Sequence, residues 1–276
     1  MFGKLLKHEY RAAGRILLPL YGALLLLTGI GLLARAAAGA IPRWQESVGS
    51  GVPAASVLFA LSVFLSILGL AALLLTTVIF FAVRFYRMLG DEGYLAFSLP
   101  VTPAQHIGAK LVAAVTWTLF SLLTGGSCLL LLSLPGAGPE ADAALRQVPA
   151  AAWAVAAGIL WLMLCAACAG YLTLFLCCAV GAQWRGSRLI ATVASYVALS
   201  VLLQIAGLVL LLVTGLLGVP QALYSWYLQA SAAYGSAVLV QLPIYFCLGS
   251  SALLLAFCAA AFFLIRWLLS KRLNLA

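Results

Sequence analysis

Residues 54–83 read AASVLFALSVFLSILGLAALLLTTVIFFAV, a run without one charged side chain. A helix of roughly 20 apolar residues crosses the hydrocarbon core of a bilayer, so this run is long enough to span a membrane. The whole chain is 66% hydrophobic and 8% charged, with a mean hydropathy of +1.17. A soluble domain of 276 residues cannot bury that much apolar surface. We therefore predict an all-α polytopic membrane protein.

Further apolar runs of comparable length bring the number of predicted transmembrane helices to six. They are long and continuous, unlike the short alternating segments of a membrane β-barrel. Several exceed the minimum, so we expect tilted helices or helices that extend beyond the bilayer. We predict one transmembrane domain over residues 1–276, with these additional spans: Ile16–Ala38, Ile107–Leu134, Val148–Val180, Leu189–Leu217 and Val238–Leu269.

The basic residues predict the orientation of the spans. With both termini in the cytoplasm, twelve of the 15 Lys and Arg residues lie on the inner side, and only Arg35, Arg43 and Arg146 lie outside. This is the bias expected of a multi-pass protein of the cell membrane. Because the cations are scattered at membrane edges near anionic lipid, the net charge of +9 does not indicate nucleic-acid binding.

Residues 1–15 combine apolar and basic side chains at helical spacing. The pattern predicts a short amphipathic helix that lies in the inner interface before the chain turns into the bilayer. The basic segment runs on to Arg15 and no small-residue cleavage site follows, so we do not expect a cleaved signal peptide. The apolar residues are Phe2, Leu5, Leu6 and Tyr10, and the polar ones are Lys4, Lys7, His8 and Arg11.

The predicted spans carry few groups able to do chemistry. The two histidines, His8 and His106, lie at the inner edge, and no predicted span contains a histidine or an acidic residue. Intramembrane proteases need such groups at depth, and proton-coupled carriers usually use them. A sodium-coupled carrier stays open, since backbone carbonyls can bind the ion. The chain contains no GxxxxGK[ST] phosphate loop, so we do not expect it to be an enzyme.

All seven cysteines fall inside predicted spans. Cys165 and Cys168 have CxxC spacing, and Cys177 and Cys178 are adjacent, but no histidine or carboxylate lies near them in sequence. We interpret them as reduced, packed thiols and predict no metal site.

The segment 84–106 is the longest charged interruption on the inner side. It contains the only adjacent acidic pair, Asp91 and Glu92, followed by apolar side chains and two prolines. Thr102 is a candidate N-cap, with Pro103 at the first helical position and Gln105 at the third. Two interpretations remain open from the residues alone: a short docking helix for a soluble partner, or a solvated loop whose aromatics lie at lipid headgroups.

The topology and this loop resemble a permease of the type 2 ABC exporter class, of bacterial type. Such permeases carry an acidic, glycine-containing stretch, a Leu-Pro-Val-Ser/Thr-Pro turn and then Lys-Leu at the third span. The corresponding positions here are 91–94, 99–103 and 110–111. The N-terminal sequence FGKLLKHEYRAAGRILLPLY is also similar to the start of these permeases. Strong motif similarity covers only residues 1–21 and 84–111.

The resemblance implies that the loop is a coupling helix for a separate cytoplasmic ATPase, which would bind the ATP and Mg²⁺. It also implies a dimer with a second copy or a related permease in the lipid membrane. Residues 219–236, rich in aromatics, would form a re-entrant segment on the outer side. The residues expected to transmit the motion are Asp91, Glu92, Gly93, Tyr94, Leu95, Phe97, Leu99 and Pro100.

The same family architecture places a transport path along spans two and five. Gln204 is the large polar side chain deep in span five, and it either hydrogen-bonds another helix or contacts substrate. Without buried charge in the spans, we expect an amphipathic or hydrophobic substrate. The other candidates for the path are Ser62, Ser66, Thr76, Thr77 and Ser200.

Two other functions fit the same topology. One is a membrane scaffold or sensor subunit that binds a cytoplasmic regulator and transports nothing. The other is an ion-coupled secondary carrier, which would need no ATPase. Substrate-stimulated ATP hydrolysis in a reconstituted complex distinguishes the exporter from both.

Overall fold

A computed structural model describes residues 2–40, 54–90, 102–133, 150–184, 186–234 and 237–271. These residues are almost all helical, and the helices are α1 (Phe2–Ala40), α2 (Ala54–Leu89), α3 (Pro103–Ser133), α4 (Ala150–Gly181), α5 (Arg188–Leu216), α6 (Val219–Tyr234) and α7 (Ala237–Lys271). All except α6 are long and apolar enough to cross a membrane. The prediction of an all-helical chain with six helices able to span a membrane is therefore confirmed.

The contacts divide the chain into two compact units. The first comprises residues 1–81 and 106–149, and the second comprises residues 82–105 and 150–276. Two of the three boundaries fall inside continuous helices, α2 and α3, whereas independent domains are normally joined by exposed linkers. The single transmembrane domain stays a prediction that this division does not oppose.

In the first unit, α1 and α3 run parallel. The Tyr21 hydroxyl is 2.8 Å from Ser121 Oγ, and farther along both helices the Arg35 guanidinium donates to the Leu132 carbonyl at 3.0 Å. Contacts that advance in the same direction on both helices require parallel packing. Two spans separated by one intervening span must run in the same direction, so this packing agrees with the predicted order of the spans.

The intervening helix α2 runs antiparallel to α1 in this unit. Arg35 lies over the Phe59 ring, 5.6 Å from its centroid. In the other direction along α1, a Cβ added at Gly69 would lie 3.2 Å from Leu24 Cδ1, so the Leu24 side chain packs directly on the α2 backbone there. Small residues at such crossings allow the close packing that membrane helices use in place of a hydrophobic driving force.

In the second unit, α4 packs against both α7 and α5. Its contacts with α7 advance in parallel, from Gly158 beside Cys247 to the side-chain interaction of Cys168 with Cys258. The short α6 packs on α5 and α7. Gly218, with φ of +67°, makes the turn from α5 to α6, a left-handed conformation that glycine adopts without the steric cost of a Cβ.

The N-terminal segment differs from the prediction in one respect. The structure shows one helix from Phe2 to Ala40, without a turn after residue 15, and this helix continues through Pro19, a residue that lacks the N–H for the usual bond to the carbonyl four residues earlier. Lys4 and Lys7 are exposed, and Phe2, which was predicted on the apolar side, is exposed as well. The opposite side of this segment packs on α3, where the Tyr10 hydroxyl bonds Thr116. Its position in the membrane interface stays a prediction.

The segment between α5 and α7 forms one unbroken helix, α6, over Val219–Tyr234. Tyr224 and Trp226 are exposed on it, as expected of an interfacial segment. Its re-entrant position on the outer side stays a prediction.

Candidate functional site

The predicted docking loop is described only at its two ends. The residues predicted to contact a partner all lie outside the described ranges: Asp91, Glu92, Gly93, Tyr94, Leu95, Phe97, Leu99 and Pro100. The last turns of α2 and the first turns of α3 flank this segment.

The end of α2 is anchored by aromatic stacking. Phe85 is fully buried, and its ring lies 4.1 Å from that of Phe175 on α4, with 13° between the planes. Met88 and Leu89 in the following turn are also buried. Stacked aromatic pairs contribute about 0.5–1.5 kcal/mol beyond the burial of their surface. The chain therefore enters the loop from a helix end that is fixed in the second unit.

A positive charge lies beside this helix end. A Cβ added at Gly90 would be 3.7 Å from Arg188 Nη1 and 3.6 Å from the Arg87 carbonyl oxygen. Arg188 is the first residue of α5, and its guanidinium thus lies near the last carbonyls of α2, where the helix dipole favours a cation. The sequence indicates only that Arg188 lies on the inner side of the membrane. The structure adds that its guanidinium lies at the end of α2.

The start of α3 agrees with the sequence prediction. The helix begins at Pro103, and the Thr102 backbone N–H donates to Gln105 Oε1 at 3.3 Å. This is the half of a capping box in which the third helical side chain bonds the residue before the helix. The chain leaves the loop directly into a defined helix, which extends through the third span.

One buried ion pair lies two turns into α3. Lys110 Nζ donates to Glu9 Oε1 of α1 at 2.8 Å, and only 7% of the Lys110 side chain and 6% of the Glu9 side chain are exposed. His106, one turn before Lys110 on the same helix, is also buried. A buried pair is costly to break because the remaining charge is left without compensation.

Sequence reasoning missed this pair. It treated Lys110 as an inner-side cation that matches the Lys-Leu of the exporter motif, and it did not consider Glu9. The signal in the sequence was one acidic residue, Glu9, in a segment otherwise rich in Lys and Arg. Glu9 follows Leu5 by four residues and Leu6 by three, so it lies on the same side of the helix as both leucines. Those leucines lie on the partly buried side of α1.

The predicted path residues of α2 are mostly packed within the first unit. Ser62, Ser66 and Thr77 are buried, whereas Thr76 is half-buried. The hydroxyls of Ser62, Thr76 and Thr77 donate to backbone carbonyls within their own helix, as such side chains often do in membrane helices. The Ser66 hydroxyl has no hydrogen-bond partner among the described residues. Their part in transport stays a prediction.

The predicted path residues of α5 lie on a surface of a different kind. No residue of α5 is buried, whereas each of the other five spanning helices contributes buried residues. Gln204 is exposed near the middle of this helix, and Ser200, one turn earlier, donates its hydroxyl to the Val197 carbonyl. The middle of α5 therefore presents an amide within an otherwise largely apolar face.

The cysteines show no metal-site geometry in the described part of the chain. They are unpaired by disulfides, and Cys168 is the half-buried one while the others are buried. No group of three or more His, Cys, Asp or Glu side chains in the described ranges is arranged to hold a metal ion.

Comparison with known proteins finds no matching family model, no matching curated protein and no matching solved structure.

Proposed function

We propose that this chain is the membrane permease subunit of an ATP-driven exporter of the type 2 ABC class. It lies in the cell membrane with both termini in the cytoplasm. Its loop over residues 84–106 docks on a separate cytoplasmic ATPase, which binds ATP and Mg²⁺ and supplies the motion. The chain itself contributes the transmembrane path.

The observation that carries the proposal is the loop between the second and third spanning helices. Its sequence contains an acidic pair, several apolar residues and Leu-Pro-Val-Thr-Pro over residues 99–103, and α3 begins at Pro103. On the other side, Phe85 and Phe175 anchor the end of α2. A soluble partner that displaces this segment would act on the ends of two long helices, α2 and α3.

The uncovered helix α5 supports a second permease copy as partner. A two-fold axis brings the same surface of both copies together, and an exposed amide at Gln204 meets the same amide of the other copy when the axis passes beside it. Amide side chains hydrogen-bond across membrane helices and contribute about 1–2 kcal/mol in model peptides. A related permease with a polar group at this depth would serve equally.

The apolar surface of α5 supports an amphipathic or hydrophobic substrate. Its exposed side chains are mainly Leu, Val and Ile, and it carries no acidic residue and no basic residue after Arg188. An ionic substrate on this surface would lose its hydrating water and gain no charged partner, and the free-energy cost of burying such a charge is large. An amphipathic or hydrophobic substrate fits this path.

The proposal is tested by purifying the tagged chain from its native host in mild detergent. Mass spectrometry identifies copurifying proteins for the wild type and for a variant with Asp91→Ala, Glu92→Ala and Tyr94→Ala. We expect a stoichiometric ATPase with the wild type and its loss with the variant. A variant with Glu140→Ala and Asp142→Ala removes two acidic charges from a predicted outer loop and should retain the ATPase.

Other results would contradict the proposal. Wild-type protein that carries no ATPase in several detergents would favour the scaffold or secondary-carrier function. An ATPase retained by the loop variant would refute the docking assignment, whereas one lost equally from the outer-loop control would show only a general defect in assembly.

A further inference from the structure

The exposed face of α1 changes from cationic to apolar at one position along the helix. Lys4, Lys7, Arg11 and Arg15 are all exposed. At 3.6 residues per turn, these four residues lie within about 80° of one another around the helix axis. No exposed residue over 16–36 is charged or polar. The large side chains exposed in that stretch are Ile16, Leu18, Leu25, Leu26, Ile30 and Leu33.

The opposite side of the same segment packs on α3. Ala13 is fully buried, and a Cβ added at Gly14 would lie 3.6 Å from the Trp117 ring. The Tyr10 hydroxyl bonds Thr116 of α3. Contacts with α3 therefore hold one side of α1 and leave the cationic side exposed.

The length of the apolar stretch indicates where α1 meets the two surfaces of the bilayer. Arg35 follows Arg15 by 20 residues, which corresponds to about 30 Å of helix. The hydrocarbon core of a bilayer is also about 30 Å thick. The Arg35 guanidinium donates to the Leu132 carbonyl, and α3 ends at the next residue, Ser133. The apolar stretch of α1 thus fits the hydrocarbon core with Arg15 at one boundary and Arg35 at the other.

The continuity of α1 then separates the four cations by depth. A helix lying flat in the interface, as the sequence predicts for residues 1–15, would bring all four to the headgroups. In a single helix from Phe2 to Ala40, Arg11 lies only about 6 Å beyond Arg15 along the axis. Lys7 lies about 12 Å and Lys4 about 17 Å beyond Arg15. The headgroup layer extends about 5–7 Å from the hydrocarbon core, and a tilt of about 40° shortens these distances by only about a quarter.

We infer that Arg11 and Arg15 bind the phosphate of an anionic phospholipid, whose acyl chains lie along the apolar part of the same face. The two residues are four apart, so their Cβ atoms are about 6 Å from each other and both guanidinium groups can reach one phosphate. Paired N–H donors of a guanidinium match the oxygens of a phosphate. Both side chains lean toward the helix N-terminus, away from the hydrocarbon and toward the headgroups.

The charge of the face selects the class of lipid. A zwitterionic headgroup carries its own cation, which is repelled by two arginines, whereas an anionic headgroup brings no such cation. Lys4 and Lys7 lie beyond the headgroup layer and contribute only a screened, longer-range attraction. The inference depends on α1 crossing the membrane and makes no use of the ATPase.

Lipid retention measured by native mass spectrometry tests the inference. The tagged full chain is reconstituted in nanodiscs that contain equal amounts of phosphatidylglycerol and phosphatidylcholine with the same acyl chains. After transfer to mild detergent, the lipids that stay bound are counted by mass, and for the wild type we expect mainly phosphatidylglycerol. With Arg11→Gln and Arg15→Gln together, the ratio of phosphatidylglycerol to phosphatidylcholine should fall about fivefold or more, since each cation at an anionic surface contributes roughly that factor.

A second double variant provides the matched control. Lys4→Gln with Lys7→Gln removes the same charge from the same face of the same helix, but beyond the headgroup layer. At 0.15 M salt the ratio should change by less than about twofold, because charges at that distance are screened. All four side chains are exposed, so we expect both double variants to fold. The single variants Arg11→Gln and Arg15→Gln, each with a smaller fall in the ratio, replace the arginine double variant if it does not assemble.

Three results would overturn the inference. An equal fall in both double variants would show that the segment lies flat and that all four cations contact headgroups. A fall confined to the lysine variant would place the lipid contact outside the arginine pair. An unchanged ratio in the arginine variant would exclude the site, and an acidic soluble protein that copurifies with the wild type and is lost from the lysine variant would then assign this face to that protein.

Discussion

Replacing Gly181 with alanine should displace the start of α5 from α4. A Cβ at this position would lie 2.8 Å from the Thr192 backbone nitrogen and 2.9 Å from its Cα, whereas ordinary van der Waals contacts begin near 3.4 Å. The obstructing atoms belong to a helix backbone and cannot rotate away, so α5 must move by about half an ångström or more. Overpacking of this kind costs about 1–3 kcal/mol.

Gly170 on the same helix provides the control. Nothing lies within 4 Å of a Cβ added there, so Gly170→Ala should be neutral or stabilising by up to about 1 kcal/mol, because alanine is the better helix former. Thermal unfolding of both variants in the same detergent measures the difference, and ATP hydrolysis by the copurified complex measures its effect on function. Equal unfolding temperatures for the two variants would refute the close approach of α4 and α5.

Three further substitutions test other parts of the molecule. Phe85→Ala removes a buried, stacked ring and should destabilise the protein by about 3–5 kcal/mol, whereas Phe64→Ala, on an exposed ring, should cost much less when unfolding is compared in detergent. Gln204→Leu should raise the monomer fraction in a cross-linking assay, and an unchanged dimer would argue against an interface at this amide. Arg188→Gln should speed amide exchange in the turn before Gly90 at low salt, because the variant loses the interaction of the guanidinium with the helix dipole. The effect should be much smaller at high salt, since salt screens this interaction. Equal effects at both salt concentrations would exclude the interaction.

The spanning helices could be predicted from the sequence because their signal is local. A run such as residues 54–83 needs no knowledge of the rest of the fold to be recognised as long and apolar. The start of α3 was predictable for the same reason, since Thr102, Pro103 and Gln105 are neighbours whose roles depend on helix geometry alone. The extent of α1 was less predictable, because its polar N-terminal segment indicated a separate helix, whereas the structure shows one helix that continues through Pro19.

The contacts that hold the candidate site could not be predicted in this way. The Glu9–Lys110 pair joins residues of the first and third spanning helices, and a single sequence does not say which faces of two helices meet. Phe85 and Phe175 likewise are two of many aromatic residues in the sequence, and only the tertiary packing shows that their rings stack. The hydroxyls of Ser62 and Thr77 suited a polar path by composition, but local backbone acceptors within their own helix already satisfy them.

The exposed amide at Gln204 links the fold most directly to the proposed assembly. α5 is held near its start, where Ser195 donates to the Cys177 carbonyl and Gly181 meets Thr192, and it is contacted again by α6 beyond its end. Its middle is left uncovered. An amide that faced hydrocarbon there would cost several kcal/mol relative to water, a large fraction of the stability of a typical protein. A polar partner removes this cost, and the same helix of a second copy would supply one in the assembly proposed above.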